Sequence, residues 1–490
     1  MVMLMMLMMM GRRFLGGRCG WFGGGRFLDE TDEVRGLYEG QQDGKDGQDG
    51  QDGDGGVGVC EGEDEGGLSP DEEVGGLFGN PSEPTDHLWG SGSSSAASQG
   101  LLDGGLIRAP ESDAAVGLGL PLRLSFNERE ATLMRNYVEN MALWADITDP
   151  HRHFEIEVPV RAVQEPVLRL AIFAFSSRHV ERQRKGNEAE ALQYHNACLQ
   201  LLIPALSGAK GGVNDVVLAT VAILRQHEEM EYDDNQFHLT GAMHIMNTVS
   251  SFGSSGGLGE AAAWLCLRDD IHVSLISQKP LRTNLECFHR SDIFVRDDDF
   301  AWASRMVFLL AKILRCAFNQ VSESTELQII AREVEEWNAS KPPSFEPLRA
   351  LPRGKEVSRR FPELWMLLPV HVVGVQYYHI AKIVLAFSCC PSPVLAYESF
   401  RNSRNTEKTI RHHLFMVLAL AKSNSKAENT LFTARHSLVA SNEPGGWVIR
   451  HRLDQEAAEI LLREMWTRTG WDVAASIQSL REQWADESDS

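Results

Sequence analysis

The chain has 490 residues and a formal net charge of −21, but its glycine and its acid are unevenly spread: residues 1–120 hold 29 of the 43 Gly and 22 acidic side chains against seven Lys+Arg. Residues 121–490 carry 46 acidic and 40 basic side chains, a balance that excludes chain-wide attraction to polyphosphate. The first 120 residues have too little apolar surface to offset the entropy of ordering, whereas the rest suffices for one large core or two fused ones.

Residues 1–10 contain seven Met and no charge, and Arg12, Arg13, Arg18 and Arg26 follow them. A secretory signal has the reverse order, and ten residues fall far short of a membrane span of about 20. Residues 1–28 lack acid, as transit peptides do, but also lack Ser and Thr. A disordered start or a doubtful gene start is the simpler reading. Gly44, Gly47, Gly50, Gly53 and Gly56 repeat at collagen spacing without any Pro among them, and Asp49, Asp52 and Asp54 lack the closing Glu of a calcium loop. Residues 1–120 are therefore expected to be a disordered, low-complexity acidic region. Its scattered Leu37, Tyr38, Leu68, Leu77, Phe78, Leu88 and Trp89 sit near acids, as in activation segments. A merely solvated tail has the same composition.

From Ser125 the pattern turns helical. Ser125 and Glu128 form a candidate capping box, followed by Leu133, Tyr137, Met141 and Trp144 up to Asp149-Pro150. Leu168, Ile172 and Phe175 mark the next helix. Asn187 and Glu190 cap one carrying Tyr194, Cys198 and Leu201 up to Pro204, and Asn214 opens one carrying Val217, Val221 and Leu224. Further stripes run through Leu239–Val249, Trp264–Leu275, Trp302–Cys316, Leu327–Trp337, Ile410–Ala421, Ala457–Met465 and Val473–Trp484, punctuated by Pro280, Pro342-Pro343 and Gly470. The apolar run Leu364–Phe387 includes His371, Gln376, His379 and Lys382, which suits a core helix better than a membrane span, with a kink or break expected at Pro369. The expected fold is all-α, a large multi-helix bundle over 121–490.

Chemistry-bearing motifs are missing from this pattern. The cysteines at 19, 60, 198, 266, 287, 316, 389 and 390 include no pair separated by two residues, so no zinc ribbon, finger or binuclear cluster can be drawn. Their scatter suits a reducing compartment. His151, His153, His412 and His413 read as surface or capping residues, because neighbours on a helix point about 100° apart. Gly253–Gly259 reads as a flexible interhelical loop rather than a nucleotide cradle. Arg182, Arg184 and Lys185 end a helix, and Arg353, Lys355, Arg359 and Arg360 lie in a Pro-bounded loop; neither cluster is a clear import signal. No catalytic, cofactor-binding, metal or DNA-binding residue is assigned, and an enzyme is not expected.

The order of short motifs is more telling. Asn136-Tyr137, Trp144, Phe154, Val158-Pro159, Glu165-Pro166-Val167-Leu168 and Arg178-His179 come first; Tyr194-His195, Gln226-His227-Glu228, His238–Ala242, Ala263–Ile271, Asp297–Arg305, Gln376–Lys382 and Gly470-Trp471 follow. Over about 125–486 this series resembles the fungal-specific transcription factor domain, the regulatory region that follows the zinc binuclear cluster in many fungal activators. The resemblance implies a helical regulatory domain at 121–490, a nuclear location, dimerisation or other protein partners, response to a small-molecule effector, and in some relatives control of secondary-metabolite gene clusters. Arg268 with Asp269 and Asp270, and Arg305 with Asp297–Asp299, are expected to form ion pairs or caps. Where the family carries its six-cysteine DNA reader, this sequence has the acidic region, so direct DNA binding is not expected. Either an upstream exon is missing or the chain regulates without its own reader. An interaction scaffold and an effector sensor are the alternatives.

Overall fold

The structure is a computed structural model that describes residues 126–488 except 185, 187, 208–212, 231–233, 320–323, 389–395 and 442–447. The acidic region 1–120, its glycine triplets and Asp cluster, Ser125, Asn187 and Cys389-Cys390 lie outside the described residues.

The chain enters its first helix through a local cap. Asn127 accepts from the Glu130 amide at 2.8 Å while the Glu130 carboxylate accepts from the Asn127 amide at 3.0 Å. The capping box therefore sits two residues later than Ser125 and Glu128, because Asn127 has the extended backbone that lets its side chain turn back. Helix α1 (Glu128–Asn136) continues through a π-helical segment (Tyr137–Met141) into α2 (Ala142–Asp146). Then come α3 (His153–Ala162), α4 (Pro166–Arg184), α5 (Ala189–Ser207), α6 (Asp215–Glu229), α7 (Phe237–Thr248) and α8 (Gly257–Ser277). Pro204 lies inside α5 rather than ending it. Gly253–Gly259 is not one loose loop either: Phe252–Ser254 is a 3-10 turn and α8 begins at Gly257, after Gly256 takes a positive φ of 73°.

Helices α9 (Asp299–Ala317) and α10 (Ser324–Ser340) lead to a small antiparallel hairpin, β1 (Arg349–Leu351) with β2 (Glu363–Trp365), in which Arg349 faces Trp365. Helix α11 (Pro369–Ser388) starts at the proline expected to kink it. At the first helical position the missing N–H costs nothing, and Leu364 belongs to β2. The last helices are α12 (Ala396–Ser423), α13 (Asn429–Ser441), α14 (Arg452–Thr469), closed by Gly470 at φ 72°, and α15 (Ala474–Ser488).

The fold is all-α apart from that hairpin. Helix α4 packs on α5 and α6, α8 on α6, α9 and α13, and α11 on α9 and α12. Aromatic rings join the two ends of the described chain: Trp144 of α2 meets Phe175, Phe432 and Trp471 edge-on at 5.4–6.1 Å. Helix α11 is apolar and long enough to cross a membrane, yet 72% of its apolar window is buried within the protein. At Gly374 it comes so close to Phe345 that an added Cβ would stand 2.6 Å from the ring. Two stripe positions point outward: Leu201 and Ile460 are each 45% exposed, while their neighbours Leu202 and Leu461 are buried.

Candidate functional site

The interior holds many charged groups, and their partners show how they are used. Asp146, at the end of α2, accepts from the amides of Phe154 and Glu155 at 2.9 and 2.8 Å and so caps α3. Glu228, at the end of α6, does the same for Phe237 and His238 at the start of α7, at 2.7 and 3.0 Å. Asp270 of α8 receives the amides of Arg282 and Thr283 and the Thr283 hydroxyl. Burial pushes Asp146 and Glu228 up to about 7, with the amides pulling in the opposite direction. Asp146 and Glu228 close helix starts that would otherwise leave donors unsatisfied, and Asp270 does the same for loop amides.

Arg268 does not pair with its neighbours Asp269 and Asp270. Its guanidinium crosses to α2 and the turn after it, donating to the Ala145 carbonyl and, at 2.5 Å, to the Thr148 hydroxyl. Arg305 likewise donates to the carbonyls of Ile293 and Arg296 instead of to Asp297–Asp299. Asp298 caps α9 and pairs with Arg296. Both guanidinium groups go to backbone carbonyls, while Asp270 and Asp298 accept from backbone amides and Asp269 and Asp297 from the Gln226 and Trp302 side chains.

Between α6, α8 and α13 lies the densest group. Glu229 Oε1 is 3.3 Å from His436 Nε2, the His272 and His436 rings lie 4.6 Å apart, and His272 Nε2 is near the Tyr377 and Thr433 hydroxyls at 3.4 and 3.3 Å. One donor atom from each of Glu229, His272 and His436 falls within 4.8 Å of the others, and two imidazoles with a carboxylate are a donor set that suits zinc or non-haem iron. The surrounding charge works against a cation. Burial alone would raise the Glu229 carboxyl, but the His436 bond and the charge of Arg225 hold it well below the usual range. Burial lowers both imidazoles, with the Glu229 carboxylate pulling in the opposite direction. With Arg225 and Arg435 buried beside it, Glu229 already has its counter-charge, and a dication would meet two guanidinium groups. The cluster reads best as an ionic lock across three helices.

His413 is also not a surface histidine. Its Nδ1 lies 2.8 Å from Nδ1 of His379 on α11, and burial lowers His413 to about 4. His153 pairs with Asp149 at 2.7 Å, which raises His153 above the ordinary imidazole range. That pair borders a hollow of about 110 Å³ with Trp264, Arg268 and Arg296.

A far larger recess opens elsewhere. The segment joining β1 to β2, helix α12 and the start of α14 border a half-open recess of about 890 Å³ lined by Arg353, Arg360, Arg404, Lys408, Arg411 and Arg450, with Glu407, Asp454, Asn405 and His451. Arg404, Lys408 and Arg411 are spaced i, i+4, i+7 and share one face of α12. Asp454 accepts from Arg353 at 2.9 Å and from Arg360 at 2.5 Å, and Glu407 takes both Arg411 and Arg450. Arg353 is further fixed over the Phe415 ring at 4.7 Å. The sequence marks Arg353 and Arg360 as a basic loop. Arg404, Lys408 and Arg411 are not marked there, although their helical spacing is the signal that would find them, and nothing local tells that α14 borders the recess.

No family model, curated protein or solved structure matches the chain. The recess and the ionic lock therefore stand on their own geometry.

Proposed function

We propose that the chain is a fungal transcriptional regulator that works in the nucleus, whose helical body acts as a regulatory and interaction domain, with no DNA-binding zinc cluster recognisable in this sequence. One observation carries the reading: motifs in the order of the fungal-specific transcription factor domain supply the buried joints of a single helical body. Trp144 and Trp471 meet in the aromatic cluster, Gln226 donates to Asp269 at 3.1 Å, Glu228 caps α7, and Tyr377 reaches His272. A short motif that builds a joint specifies a fold more strongly than one on a solvated face. Buried acids committed to helix caps favour a non-enzymatic role, and the acidic N-terminal composition suits recruitment of transcription machinery.

Deleting the gene from its host and measuring transcripts tests this directly. A coordinated change in a defined gene set is expected, and an unchanged profile contradicts the reading in favour of a scaffold. Gel-shift assays in graded salt should give no sequence-specific retention of duplex DNA by the purified chain. Tight specific retention would overturn the expectation that these 490 residues bind no DNA sequence directly.

A further inference from the structure

We propose that the recess between the β1–β2 segment, α12 and α14 is a binding site for a small soluble oligophosphate, a ligand carrying two or more linked phosphate groups. The inference does not depend on the transcriptional reading.

The charge comes first. Among the described residues, six cationic side chains line the recess against two carboxylates, on a chain whose net charge is −21. Such a concentration of like charge raises the cost of folding unless something offsets it. Asp454 offsets it only in part, since it is shared between Arg353 and Arg360. Arg404 and Lys408 are exposed and have no ion-pair partner among the described residues. Arg360 spends only Nε on Asp454, so its two terminal nitrogens have no partner among the described residues.

The geometry comes next. Arg360 and Asp454 are 8% and 4% exposed, so the floor of the recess is a buried, hydrogen-bonded pair rather than a mobile surface charge. Asp454 and Phe415 fix the two arginines from the β1–β2 segment, and Glu407 fixes Arg411 and Arg450. Guanidinium forks held in this way match phosphate oxygens two at a time, which a scatter of surface lysines does not. The N-terminus of α14, capped by His451 through the Leu453 amide at 3.1 Å, opens on the same space. Its 18-residue helix adds positive potential at the same place.

Size and surroundings select the ligand class. About 890 Å³ holds a molecule of nucleotide or phosphorylated-sugar dimensions. A half-open recess bordered by three elements favours a compact ligand over a continuous nucleic-acid backbone, which needs an extended basic track.

The test uses the full chain with tripolyphosphate as the probe. Binding is followed by calorimetry and thermal shift at near-physiological salt, for the wild type, the double variant R404E/K408E and the control R135E. Arg404, Lys408 and Arg135 are all exposed, so folding should survive, and circular dichroism checks that it does. Tripolyphosphate is expected to stabilise the wild type and R135E, and to bind R404E/K408E at least about tenfold more weakly, since each lost charged contact removes a strong hydrogen bond. Sulfate at the same concentration should bind much more weakly. No stabilisation of the wild type, or equal affinity in R404E/K408E, overturns the proposal. So does binding to anionic phospholipid vesicles or duplex DNA that tripolyphosphate fails to displace, because the recess would then serve a membrane or a nucleic acid.

Discussion

Single side chains in this protein carry consequences that can be read from their partners. Gly374 lets α11 lie against Phe345, so Gly374→Ala should cost about 1–3 kcal/mol through overpacking, measured by urea unfolding. Glu229 is the partner of His436 and the first acid acting on the buried Arg435 guanidinium, while Arg225 is held by Asp234 at 2.5 Å. Glu229→Gln should therefore cost about 3–5 kcal/mol by urea unfolding, since it takes the counter-charge from buried Arg435. Dialysis against a chelator should leave the wild-type Tm unchanged. A fall on chelation would mean instead that Glu229, His272 and His436 hold an ion. His179 packs against Trp144, and burial lowers it to about 4. Its folded value lies below its unfolded value of about 6.5, so the stability it contributes is present above pH 6.5 and lost as pH falls toward 4. Across that window the wild type should lose about 3 kcal/mol relative to His179→Leu.

Helix ends show a second pattern. Asp146 leaves α2 to cap α3, and burial raises its carboxyl to about 7. Here the folded value lies above the unfolded one, so the contribution to stability is full below about pH 4 and lost as pH rises through 7. Asp146→Asn keeps an acceptor for the cap without the charge. It should therefore gain on the wild type between pH 5 and pH 8 by up to about 3 kcal/mol, read from unfolding curves at both values. Such long-range caps explain where sequence reading succeeded and where it failed. Asn214 and Asp298 cap their own helices and were legible locally, as were most buried stripes and the Gly470 stop. Nothing near Glu228 or Asp270 says that its partners are amides nine to thirteen residues onward. Pro204 and Pro369 misled for a related reason, since a proline ends, starts or sits within a helix according to which carbonyl its ring must avoid.

At the scale of the whole molecule, the all-helical architecture was legible because periodicity and punctuation agreed along the chain. The basic recess was not. Its cations come from residues 353–450, gathered by a hairpin and two helices, and only Arg353 and Arg360 stood out before the fold was known. The same separation hides the ionic lock, whose members at 229, 272 and 436 meet only after α6, α8 and α13 pack. These joints tie distant helices together, so Trp471→Ala, which empties the contact with Trp144 and Phe432, should cost about 3–5 kcal/mol. Urea unfolding should show one cooperative transition shifted to lower denaturant. A second transition would mean that the C-terminal helices unfold alone.

The proposal that this chain regulates transcription is tested most directly by tethering. The full chain, fused to an unrelated DNA-binding module in a fungal reporter strain, should raise reporter transcription above the level of the module alone. Reporter output equal to that of the module alone, with the fusion present in the nucleus at normal abundance, would contradict it.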